Sequence, residues 1–166
     1  MILKHDQTLA DLRSHIASSG RLSWIGIRPK HQQAMIMPEM AILLENKGIE
    51  GDHIANGSSK KRQVTLIQEE HLPVVSELVN NKAVNPEFLR RNLVVGGINL
   101  LTLKSEKFSI GGCVLEGTGL CHPCSRMEEA LGTGGYNAMR GHGGITAIVI
   151  RGGTISLGDS VVLLAK

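Results

Sequence analysis

Apolar and polar positions in this chain come mostly in short, strand-length runs bounded by glycine and polar turn residues. Leu22, Trp24 and Gly26 set against Ser23, Ile25 and Ile27 predict a buried strand over 21–29, closed by the Arg28-Pro29-Lys30 turn. Further runs predict strands at Ala41 to Leu44, Gln63 to Ile67 and Leu93 to Val95. The segments 107–115 and 154–162 share a pattern of strand, glycine-containing turn and strand, which predicts two similar hairpins flanking a cysteine-bearing loop. Helical spacing is rarer. Leu9, Leu12 and Ile16 predict a helix over 6–20, capped by Asp6 or Thr8 and ended by Gly20. Leu72, Val75 and Val79 predict a second helix over 68–80, with Glu69 and Glu70 in its first turn. Asn85-Pro86-Glu87 has the form of an N-cap followed by proline, starting a short helix through Arg91.

Many of the twenty glycines fall at turns between these β-branched runs, and strands do not alternate with helices. The expected fold is therefore mainly β: a closed or nearly closed β-barrel with a few short covering helices. A chain of 166 residues suits one domain. Its expected division is an N-terminal helical extension, 1–20, packing on a barrel formed by 21–166.

Composition changes this picture in three ways. A formal charge of +3 and a pI near 8.9 are too mild to argue for nucleic acid but allow a local anion pocket. At 2% aromatic residues, the platforms on which single-stranded nucleic acid stacks are nearly absent. No export pattern and no long apolar span is evident, and three cysteines are too few and odd in number for a disulfide scaffold. The expected setting is cytoplasmic, with no membrane partner.

The strongest chemical signal is the loop Cys121-His122-Pro123-Cys124. Ser125 followed by Glu128 has the spacing of a capping box, predicting a short helix from Ser125 to Gly132 with Cys124 just outside its N-terminus. Helix amides and the neighbouring Arg126 favour a thiolate at such a position, which makes Cys124 the better nucleophile or metal ligand of the two. Four readings compete for the pair. A structural zinc site needs a second ligand pair, and the remaining thiol, Cys113, lies in an expected strand. A dithiol redox switch using Cys121 and Cys124 suits the spacing but expects a βαβ setting. The others are two inert cysteines, and a reactive thiolate that binds a soft metal or carries sulfur.

The ordered blocks Gly48 to His53, Arg62 to Ile67, Leu89 to Val95 and Leu115 to Arg126, followed by Gly134 to Gly144, resemble the MOSC family, the C-terminal domain of molybdenum-cofactor sulfurases. The resemblance covers about residues 21–164. It implies a β-barrel that binds molybdenum cofactor or carries sulfur, with Cys124 matching the position that ligates molybdenum in the reductase branch. It further implies that Arg62, Arg90 and Asn92, with Arg126 and His142 nearby, bind the phosphate-bearing pterin. The chain departs from that branch at Ser125-Arg126-Met127, which replaces a threonine-rich segment, and it shows no preceding reductase domain. Two functions are thereby expected. One is cofactor binding, with reduction of N-hydroxylated compounds by electrons from a flavin or iron-sulfur reductase. The other is sulfur carriage, with Cys124 receiving a persulfide from a separate pyridoxal-phosphate-dependent cysteine desulfurase.

Overall fold

Short apolar runs become strands that close on one another. The computed structural model describes residues 7–80 and 82–165. In chain order its strands are β1 (Gly20–Ile25), β2 (Met40–Leu44), β3 (Gly48–Ile49), β4 (Val64–Gln68), β5 (Leu93–Gly96), β6 (Lys107–Ile110), β7 (Cys113–Leu120), β8 (Ile145–Arg151), β9 (Gly153–Ser156) and β10 (Ser160–Leu163). Its α-helices are α1 (Leu9–Ser14), α2 (His71–Leu78), α3 (Ser125–Leu131) and α4 (Gly135–Met139). Seven strands form a closed barrel in the order β1-β10-β6-β7-β8-β4-β5, and β3, β2 and β9 make a small second sheet. The barrel ladders are antiparallel apart from the parallel pair of β4 and β5. Among the described residues no helix is long and apolar enough to cross a membrane.

Two apolar clusters account for the strand pattern. Leu22, Leu66, Leu93, Val95, Phe108, Leu115 and Val149 fill the barrel. Ile67 and Val94 point the other way, onto Val75, Leu89, Met127, Leu131 and Met139 beneath the helices. All five residues of β4 are buried because it is covered on both faces, which is why 63–67 reads as a continuous rather than an alternating run. The functional segments lie over this helix-covered wall.

Several sequence expectations need correcting. The first helix spans six residues, not fifteen, because it has no buried face: Leu9 and Leu12 are 72% and 46% exposed. Thr8 caps it through a reciprocal pair with Asp11, and Asp6 lies outside the described residues. Ile16, beyond the helix, is what packs on the barrel core. The second helix starts at His71, since Gln68 is consumed by β4. The turn after Asn85 is a single 3-10 turn, Pro86–Leu89, with no side-chain cap bond. Segment 107–115 is a hairpin, but 154–162 is not: β9 pairs with β2, whereas β10 joins β1 and β6. A register shift between Leu22 and Trp24 turns the Trp24 ring toward the helix side while Leu22 and Ile25 both face the barrel.

Candidate functional site

The site rests on a buried polar knot. Asp52 is 2% exposed; its Oδ2 accepts from the Arg28 amide at 2.9 Å and from Asn92 Nδ2 at 3.0 Å, and its Oδ1 from the Ile54 amide at 3.0 Å. Asn92 spends its remaining capacity on Gly26 O (3.1 Å) and on the amide and hydroxyl of Thr65 (both 3.1 Å). Its side chain thus ties β1, β4 and the Asp52 turn together and has no donor left to offer a ligand. Asn92 braces the site.

Arg90 and Arg91, adjacent in sequence, have opposite fates. Arg90 ends the 3-10 turn in a left-handed conformation, φ 57°, and is half-buried. That reversal sends Arg91 inward, where it is 3% exposed and donates to Gly143 O (2.8 Å), Leu89 O (2.7 Å) and Cys121 O (3.4 Å). The Cys121 amide in turn donates to Gly144 O at 2.8 Å. Only glycine allows this approach, since a Cβ on Gly143 would lie 2.0 Å from Cys121 O. One guanidinium therefore clamps the start of the cysteine loop to the 141–144 loop.

From that clamp the loop runs outward. Cys121 is 2% exposed, whereas Cys124 is exposed at the N-cap of α3 and its side chain makes no cap bond. Helix α3 has the expected bounds, but the capping box does not form. Glu128 is captured by the next helix, its carboxylate accepting from the amides of Gly134 (2.8 Å) and Tyr136 (2.9 Å), and these bonds hold its pKa below the usual range. Cys113 is buried in β7 against Thr154 O, apart from the loop. Among the described residues no three His, Cys, Asp or Glu side chains gather as a metal-ligand set, so nothing in the structure supports the zinc reading.

On the Cys124 side of the loop four guanidinium groups, those of Arg28, Arg62, Arg90 and Arg126, lie close enough to act on one another, and Arg90 also feels Cys124. Arg28 is 7% exposed, and burial, followed by the charge of Arg90, pushes its pKa down to about 10; Asp52 opposes the shift, and Arg126 and Arg62 add to it. Arg90 is likewise lowered, by burial first and then by Arg126, while Cys124 and, more weakly, Glu129 act in the opposite sense. None of the four makes an ion pair with a carboxylate among the described residues. The polar partner of the Arg28 guanidinium is the Met35 sulfur, 3.9 Å from Nη2. Four like charges gathered with no ion pair and only partial compensation form a site for an anion.

Of the residues singled out from sequence, Cys124, Arg62, Arg90 and Arg126 thus come together. His142 does not join them: its Nδ1 donates to Ala138 O at 2.9 Å and its ring stands edge-on to His71, with centroids 5.0 Å apart. Arg28, which sequence reading left as a turn residue, is the deepest cation of the group.

A MOSC domain family model matches residues 51–162, more than half of the chain. No curated protein sequence matches it. Among solved structures, the YuaD protein of Bacillus subtilis is similar over 92% of this chain and 100% of its own, with a TM-score of 0.77 at 19% identity. YiiM of Escherichia coli is similar over 88% of this chain and 70% of its own (TM-score 0.67, 19% identity). YiiM of Geobacillus stearothermophilus covers 88% of this chain and 75% of its own (TM-score 0.69, 13% identity). At these identities the likeness concerns the fold, a strand-rich barrel with short helices, while the family model spans Arg62, Arg90, Arg126 and the cysteine loop but not Arg28, and the chain belongs to the MOSC domain family.

Proposed function

We propose that this protein binds molybdenum cofactor, with Cys124 as the thiolate ligand of the metal and Arg28, Arg62, Arg90 and Arg126 as the cradle of the cofactor's anionic group. The observation that carries this reading is a group of four guanidiniums, one of them buried, beside an exposed cysteine, none of them ion-paired to a carboxylate among the described residues and only Arg28 and Arg90 partly offset, by Asp52 and Glu129. An anion and a soft metal on one ligand fit that donor set. When bound, the cofactor supplies two-electron redox chemistry at a thiolate-held metal.

The protein's own residues divide the work. Arg28 and Arg90, half to fully buried, hold phosphate oxygens where water competes least. Arg62 and Arg126, both exposed, draw the anion in from solvent. Asp52 and Asn92 position the Arg28 backbone, and Arg91 fixes the carbonyl end of the cysteine loop so that Cys124 meets its ligand at a set place. The substrates proposed are N-hydroxylated compounds, reduced with electrons from a separate flavin or iron-sulfur reductase.

A second reading is favoured by the accessibility of the Cys124 thiol. In it the Cys124 thiolate attacks the outer sulfur of a desulfurase persulfide, forming the Cys124 S–S bond as the donor's S–S bond breaks and the donor leaves as a thiolate. A Cys121–Cys124 dithiol switch ranks below both, because Cys121 is sequestered.

The test is molybdenum and pterin content after expression in a host that makes the cofactor, for wild type and Cys124→Ser side by side. Metal in the wild type and at least about tenfold less in the variant is the expected result. Retention of metal by the variant removes Cys124 as ligand. Absence from both, together with an added sulfur on Cys124 by mass spectrometry after desulfurase treatment, replaces the cofactor reading with sulfur carriage.

A further inference from the structure

The Cys121 end of the loop walls a separate cavity of about 190 Å³. Leu120, Ile145 and the buried Cys121 line it together with His71, His122 and Asn99, and no Asp, Glu, Lys or Arg does. A charged ligand would lose its hydration there and gain no counter-ion. The volume is on the scale of the roughly 150 Å³ protein cavity that holds one benzene molecule. One wall residue has hydrogen-bonding capacity to spare: Nδ1 of His71 is enclosed and is, among the described residues, the one buried side-chain nitrogen or oxygen with no hydrogen-bond partner, so a ligand meets this ring through its other nitrogen, Nε2. Its ring abuts His142, whose own Nδ1 is already engaged by Ala138 O. Burial, then the charge of His142, lowers the pKa of His71, so the ring is neutral at pH 7. A neutral imidazole nitrogen is a donor or an acceptor according to tautomer, and a hydroxyl group can satisfy either.

We propose that this cavity is a binding site for an uncharged molecule about the size of one six-membered ring, which presents a hydroxyl group to His71. The site is independent of what Cys124 carries. Phenol, benzene and benzoate are suitable probes, titrated at pH 7.5 into wild type, Leu120→Trp, His71→Phe and Cys124→Ser, with the histidine Cε1–H resonances followed by NMR. Phenol is expected to shift the His71 and His142 signals saturably in the wild type and in Cys124→Ser. Benzene should bind about tenfold more weakly, the scale of one hydrogen bond, and benzoate should give no saturable shift. Leu120 is 41% exposed, so a tryptophan there fills the cavity from its solvent side and should abolish the phenol response. In His71→Phe the preference for phenol over benzene should vanish, read at His142. The proposal is overturned if phenol leaves His71 unmoved, if benzoate binds as well as phenol, or if a folded Leu120→Trp responds like wild type. Should Leu120→Trp not fold, the His71→Phe comparison decides: a lost preference supports the site and a retained one overturns it.

Discussion

The two ends of the Cys121–Cys124 loop are three residues apart and chemically opposite. At Cys124 the thiol is exposed beside four guanidiniums, none ion-paired to a carboxylate among the described residues; Cys121 is buried, in a cavity wall with no Asp, Glu, Lys or Arg. The divide between them is Arg91, whose hydrogen bonds are spent on backbone carbonyls while its charge acts on both cysteines, on Cys121 more than on Cys124. The comparison teaches that a Cys-x-x-Cys spacing does not by itself make a dithiol pair. Here the loop separates an anion-seeking surface from a neutral cavity.

The largest way to break this contrast is to remove its divide. Arg91→Leu leaves the carbonyls of Gly143 and Leu89 without their donor in a buried setting, and a loss of about 3 kcal/mol is expected. At about 2–4 °C per kcal/mol for a chain of this size, calorimetry should record a fall in Tm of roughly 6–12 °C. An unchanged Tm would mean the clamp carries no load. Smaller in stability and opposite in sign is Arg28→Leu. Arg28 forms no ion pair among the described residues, and burial and like charges outweigh the attraction of Asp52, so this variant should be as stable as wild type or about 1 kcal/mol more so, while its affinity for inorganic phosphate falls about tenfold. Thermal shifts across a phosphate titration measure both quantities, and undiminished phosphate stabilisation would remove Arg28 from the anion site.

The smallest effect concerns the neutral end. The pKa of His71 lies below its ordinary 6.5, lowered by burial and by His142 and only partly restored by Glu70. Between the folded and unfolded values the unfolded chain binds more protons, so this contribution to stability is complete above pH 6.5 and is lost as pH falls through the folded value. Urea midpoints at pH 5.5 and 7.5 should therefore differ less in His71→Phe than in wild type. Equal differences would place the pH dependence elsewhere.

How much of this was legible in sequence depends on how local each cause is. The barrel is, because its strands are short apolar runs, and α3 is, because Ser125 to Gly132 carries its own start and stop. Cys124 was placed at the helix N-terminus for a partly wrong reason, since Glu128 turns to Gly134 and Tyr136 at the start of α4, a helix that no spacing announced. The 154–162 hairpin failed because the partner of β9 is β2, more than a hundred residues upstream, and a local pattern carries no record of that pairing. Arg28 was missed for the same reason: it looks like a turn residue until Asp52, 24 positions away, takes its amide. The block Gly48 to His53 stood out through its resemblance alone, and nothing local in it announces that Asp52 is buried or that it braces Arg28.

The Asn92 knot has a consequence for how the molecule opens. The Gly26 amide donates to Asn92 O at 2.6 Å, the Thr65 amide to Asn92 Oδ1 at 3.1 Å, and the Asn92 amide back to Thr65 O at 3.1 Å. Three strands thus share one residue as their latch. In hydrogen exchange these amides should behave as a single cooperative unit with protection close to that of global unfolding, whereas the free Cys124 tip exchanges by local fluctuation, so the scaffold of the anion site is among the last parts of the protein to come undone.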